Sequence, residues 1–301
     1  MNKFCLKNKV EKQIISTSYG LVAINNIVFD PLEIENYLPN IIFDDNNLKF
    51  MFQQNKLNTR MRRLILNRFI PNDRSINLTT YVQNSLSQNK NFYSFLAEGM
   101  LTLIFRDINN YELATGILDV TNTLNDTHSG VDACMFDREN SVLVLGEAKF
   151  YRSFKEGIEA VFDDFKNKKI LNKIDSFKRN SEYNEESEDI IIKNLCTNNI
   201  MELTLQEFVN QNLIFAGFVL HNSLKRVDTY LKEGFYNNLY FSVDDLKNKI
   251  NKNLNTDVSK CKYEVFLFHL PINDKKELIE KIITRAEEDK KKLAGERKTN
   301  G

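Results

Sequence analysis

The pattern of apolar and polar positions changes period several times along the chain. Phe92, Phe95, Leu96, Gly99, Met100, Leu103 and Ile104 recur at spacings of three and four, which predicts one long helix, or two, over 79–106. The spacing then shortens. Residues 112–120, 131–137 and 142–150 read as three strands, with a polar loop over 121–130 between the first two. Phe154, Ile158, Val161, Phe162 and Phe165 restore the helical period over 153–180, and a second helix is expected around 188–210. The runs 213–221 and 263–270 read as buried strands. The stretch from Asn273 reads as a helix that fades into a charged tail after Leu293. Upstream, 20–29 reads as a short strand pair turning at Asn25-Asn26. Residues 31–70 read as mainly helical, with Pro31 at the first helical position after an Asp30 cap. This order predicts a mixed-sheet α/β core over 91–293, a mostly helical portion over 1–90 packed on it, and a charged tail over 294–301.

Composition narrows the classes. With 301 residues, 42% hydrophobic and 27% charged, the chain has the make-up of a globular protein rather than a disordered one. Its apolar runs, such as 101–105 and 142–145, fall far short of the roughly 18 residues a membrane helix requires. The first residues carry no apolar segment with a small-residue cleavage site, so a cytoplasmic location is expected. Forty-one basic residues balance 41 acidic ones. That excludes a surface that grips nucleic acid everywhere, and leaves room for a local basic groove. Two such stretches exist, one around Arg62 and Arg63, the other including Lys166 and Lys169. The first suits a phosphate backbone, and equally a solvated helix face or a patch that docks a protein; the second, following the core helix, is the better candidate for DNA. Cys5, Cys134, Cys196 and Cys261 form no CxxC pair, which speaks against a zinc knuckle. With no GxxxxGK[ST] loop, any use of ATP belongs to a partner.

The informative segment is 130–150. Alternation puts Glu147 and Lys149 on the same sheet face as Leu143 and Leu145, so two charges end an otherwise apolar face. If the hairpin turns symmetrically about Glu139-Asn140, Asp132 faces Glu147, with Cβ atoms about 4.5–5.5 Å apart. Two carboxylates so placed repel unless a cation joins them, and a divalent ion with oxygen ligands fits the gap. The Ala148 carbonyl is available as a third ligand. Lys149 would stand beside the site, able to hold a water or offset charge on a phosphate. The same three residues also fit an ordinary salt bridge on a surface hairpin.

Asp132 followed by Glu147-Ala148-Lys149 resembles the PD-(D/E)xK nuclease signature, although Val131 stands where that signature has proline. The family places a Glu on the preceding helix, and Glu98 matches in position. The segments 128–133 and 145–150 further resemble HamA, the nuclease subunit of the Hachiman antiphage system, whose domain is shared by AbpA-type proteins. The resemblance implies a restriction-endonuclease-like mixed sheet flanked by helices. It implies cytoplasmic, bacterial antiviral defence and cleavage of DNA with Mg2+ or Mn2+, restrained by the superfamily 2 helicase HamB. It makes Asp132 and Glu147 metal ligands, Lys149 the catalytic lysine, and Glu98 a supporting ligand or a positioner of water. His128 and Ser129, just before the motif, would contact DNA phosphate or merely cap the loop. Two alternatives stay open: a non-catalytic sensor or scaffold for the helicase, and a nuclease acting on RNA or in repair.

Overall fold

The structure is a computed structural model. It describes residues 9–17, 20–28, 38–51, 56–69, 90–109, 111–115, 132–137, 139–140, 142–151, 153–164, 212–222, 263–272 and 274–299. Its centre is a seven-stranded sheet of β1 (Lys9–Thr17), β2 (Gly20–Val28), β3 (Glu112–Thr115), β4 (Ala133–Asp137), β5 (Val142–Tyr151), β6 (Asn212–Asn222) and β7 (Tyr263–Ile272). The spatial order is β1-β2-β7-β6-β5-β4-β3. β3, β4 and β5 form an antiparallel meander. β5, β6, β7 and β2 run parallel, and β1 closes the far edge antiparallel to β2.

Among the described residues the helices accompanying the sheet include α1 (Asp45–Met51), α2 (Thr59–Phe69), α3 (Lys90–Asn109), α4 (Phe154–Asp164) and α5 (Lys275–Thr299). Side-chain oxygens cap several of them, accepting backbone N–H groups that the first turn leaves unpaired. Asp44 Oδ1 accepts from Asn46 and Asn47, Asn58 Oδ1 from Met61, Ser153 Oγ from Glu156 and Asp274 Oδ1 from Glu277. Ser153 and Asp274 each precede a Glu by three residues, the spacing of a capping box.

The two faces of the sheet are covered differently. On one, Ala133, Met135, Val144, Ala148, Ala216 and Phe218 join a buried cluster with α3, α1, α2 and α5. A Cβ on Gly146 would lie 2.7 Å from Leu101 Cδ2, so a glycine is what lets α3 settle against β5 there. The residues of opposite parity, including Cys134, Phe136, Leu143, Leu145, Phe215 and Val219, are buried on the other face. There α4 packs on β5 and β6, with Ile158, Val161 and Phe162 fully buried.

Two sequence readings change. Asn25-Asn26 is no turn: β2 runs through both without a break, and β1 is its partner. Tertiary pairing with β7 overrides the turn preference of asparagine. Among the described residues of the first 90, two sheet strands stand beside the helical segments. The final helix continues to Thr299, past Leu293 and through most of the charged tail. The strands predicted over 112–120, 131–137, 142–150, 213–221 and 263–270 all appear, described over 112–115, 133–137, 142–151, 212–222 and 263–272. Pro31, the start of the helix expected over 79–106, and the helix around 188–210 lie outside the described residues.

Candidate active site at the end of strand β5

The β4–β5 hairpin sets the geometry. Asp137 closes its turn: Oδ1 accepts from the backbone N–H groups of Glu139 and Asn140, and Oδ2 from Asn140 Nδ2. This Asx arrangement fixes the pairing Asp137↔Val142 through Ala133↔Gly146, the symmetric register read from the sequence. Beyond Gly146, β5 continues five residues further, held by β6 on its other side as far as Tyr151↔His221. Asp132, the residue before β4, thus sits across from the overhanging end of β5. Its Oδ2 accepts a hydrogen bond from the Ala148 N–H at 2.8 Å. In an extended strand a residue's N–H and C=O point to the same side. The Ala148 carbonyl therefore also faces the side on which Asp132 lies.

Three carboxylates converge on one ammonium. Lys149 Nζ lies 2.7 Å from Asp164 Oδ2, 3.0 Å from Glu147 Oε2 and 3.6 Å from Asp132 Oδ2. Glu147 is sealed, with 1% of its side chain exposed, whereas the other three keep about a fifth of theirs in contact with solvent. The cluster sits where the core meets water. Burial alone would push the lysine down. The charges of Asp132 and Glu147, then the hydrogen bond and charge of Asp164, outweigh it and hold the ammonium above the ordinary lysine range. Lys149 is therefore a cation throughout the neutral range, suited to electrostatic work and not to accepting a proton.

The donor set is all oxygen, which suits a hard divalent ion such as Mg2+ or Mn2+. Asp132 and Glu147 on facing strands, with the Ala148 carbonyl beside them, fit such an ion. Among the described residues no three His, Cys, Asp or Glu side chains are spaced to share a metal. Glu98 is accordingly not gathered with Asp132 and Glu147 into such a group. It is half buried on α3, one turn before Leu101, on the helix that covers the face opposite Lys149. Arg62 and Arg63 have partners within the chain. Arg62 pairs with Asp45 at 2.5 Å, and Arg63 Nη2 donates to the Leu293 carbonyl at 3.5 Å, tying α2 to α1 and α5. His128, Ser129, Lys166 and Lys169 lie outside the described residues. His221 is buried at the register position of Tyr151. Cys134 is buried, and burial pushes its thiol well up, away from nucleophilic use.

Sequence reasoning missed Asp164. Its signal was slight: Asp163-Asp164 follows directly on the apolar Val161-Phe162 of an amphipathic helix. Only the docking of α4 shows which carboxylate reaches Lys149.

Fold and site together define a mixed α/β protein with an acid–lysine cluster at the overhanging end of a central strand. The HamA family pattern matches residues 21–286, and the chain belongs to the HamA family. It is a Hachiman-associated defence protein. No curated protein matches it closely.

Proposed function

We propose that the chain is a metal-dependent deoxyribonuclease of the PD-(D/E)xK type. It would be the effector subunit of a Hachiman-type complex, held in check by the helicase HamB and cleaving DNA when released. The observation that carries this reading is the convergence of Asp132, Glu147 and Lys149 at the end of β5. The order α3-β3-β4-β5-α4-β6, a meander followed by a helix and a parallel strand, accords with that nuclease fold. Asp132, Glu147 and the Ala148 carbonyl would hold Mg2+ or Mn2+, and Glu98, on the helix over the opposite face, would support the site as a positioner of water rather than as a ligand. When bound, such an ion acidifies water and polarises a phosphoryl oxygen. Lys149 would direct its ammonium at the attacking water or at the charge growing on phosphate. Asp132, through the Ala148 N–H, fixes the strand end on which these groups stand.

The competing reading is a sensor or scaffold for the helicase. In its favour, Lys149 already lies within ion-pair distance of the facing carboxylates, as in a purely structural cluster. Plasmid degradation with Mg2+ or Mn2+ decides between them. Wild type, Glu147→Ala and Lys149→Ala are compared alone and with the helicase plus ATP. Metal-dependent cutting lost in both variants, with the complex still assembling, supports the nuclease. Intact wild-type protein that never cuts, together with failed assembly of Lys149→Ala, supports the scaffold.

A further inference from the structure

Lys149 and a divalent cation compete for the same oxygens. The ammonium now lies against Glu147 Oε2 and Asp132 Oδ2, the two facing carboxylates that an ion would join. An ion bound there repels the ammonium and takes its acceptors. Asp164 stands apart from that pair. It belongs to α4 rather than to the hairpin, and it makes the shortest of the three contacts with Lys149. Its helix is firmly located. A Cβ on Gly157 would fall 2.3 Å from Val219 Cγ1, and Val219 is the ladder neighbour of Lys149 on β6. Seven residues on, two helical turns along the same face, comes Asp164.

We propose that Asp164 is a positioning residue for Lys149, the carboxylate that keeps the ammonium in place when Asp132 and Glu147 turn to a divalent cation. The inference rests on the nuclease reading above. It assigns the three carboxylates two jobs: two for the metal and one for the lysine. Without Asp164, the lysine falls back on the metal's own ligands and weakens metal binding.

The test is Mn2+ affinity, read from the electron paramagnetic resonance signal of the free ion, with folding checked by circular dichroism. Asp164→Asn is expected to weaken Mn2+ binding about tenfold or more, the usual scale for groups that orient a metal site. Asp164→Glu, which keeps a carboxylate, restores most of it. Lys149→Met binds Mn2+ more tightly than wild type, and adding Asp164→Asn to it changes nothing further. A loss that persists in the Lys149→Met background makes Asp164 a ligand and overturns the proposal. No effect of Asp164→Asn in either background overturns it as well. In both cases, Mn2+ binding that still vanishes in Glu147→Gln leaves the metal-site reading standing. Wild type that binds no Mn2+ at all removes that reading and the proposal with it. A structure of the wild type with Mn2+ gives a check free of substitutions. Lys149 Nζ should remain at Asp164 and leave Asp132, and the opposite movement overturns the proposal.

Discussion

Glu147 has 1% of its side chain in contact with water and Lys149 Nζ at 3.0 Å as counter-charge. Removing a partner from a buried pair leaves an uncompensated charge, at a cost of about 3–5 kcal/mol. Lys149→Met should therefore lower stability by about that amount in urea unfolding without metal, and millimolar Mn2+ should recover much of it. Glu98 lies on the helix over the opposite face, so under the proposed function Glu98→Gln should reduce plasmid cutting less than Glu147→Gln does. Cys134 offers a test by pH. Its folded thiol is raised by burial, so the folded chain keeps a proton that the unfolded chain loses above about pH 8.5. Stability is then full below that pH and falls above it, by about 1.4 kcal/mol per pH unit from this group alone. Urea unfolding of wild type and Cys134→Ala at pH 7.5 and 9.5 should show the steeper alkaline loss in wild type. At this scale the sequence was most readable within the hairpin, because strand alternation and a symmetric turn fix who faces whom. Asp164 escaped because its contact crosses between a helix and a strand, a relation that no local period records.

Among the elements, α4 is held by shape as much as by burial. A methyl group on Gly157 cannot coexist with Val219 at 2.3 Å without a shift of helix or strand. Gly157→Ala should cost about 1–3 kcal/mol, the usual penalty for overpacking. Val219→Ala in the same chain should return part of it, and the double mutant's melting temperature checks this. Helix positions were readable from apolar spacing, and Ser153 and Asp274 mark two helix starts through their capping spacing. β2 was half readable. Its apolar residues signalled a strand, but Asn25-Asn26 imitated a turn. What keeps it extended is pairing with β7, some 240 residues away, a distance over which local sequence carries no information.

For the molecule as a whole, charge balance is the governing fact. Basic and acidic residues cancel, and Arg62 and Arg63 each have a partner inside the chain. At the β5 end, three carboxylates outnumber the single ammonium of Lys149. Neither the overall charge balance nor the described residues of this cluster draw in a polyanion. Under the proposed function, DNA affinity should therefore come largely from the helicase. At matched salt the complex should bind duplex DNA far more tightly than this chain alone, and equal affinities would contradict this. No helix among the described residues is long and apolar enough to cross a membrane, in line with the short apolar runs of the sequence. The sheet's far edge, where β1 and β2 join β7, was the least readable part at this scale, since parallel partners distant in sequence leave no turn between them.

The contact between Gly157 and Val219 also has a consequence for descent. The two positions make one shared space, so neither can drift independently. Lineages that acquire a side chain at 157 should carry a smaller one at 219, and those that enlarge 219 should retain glycine. Because this paired constraint seats the helix that bears Asp164, it should persist in relatives that keep an acid there and relax in those that have lost both the acid and the lysine it meets.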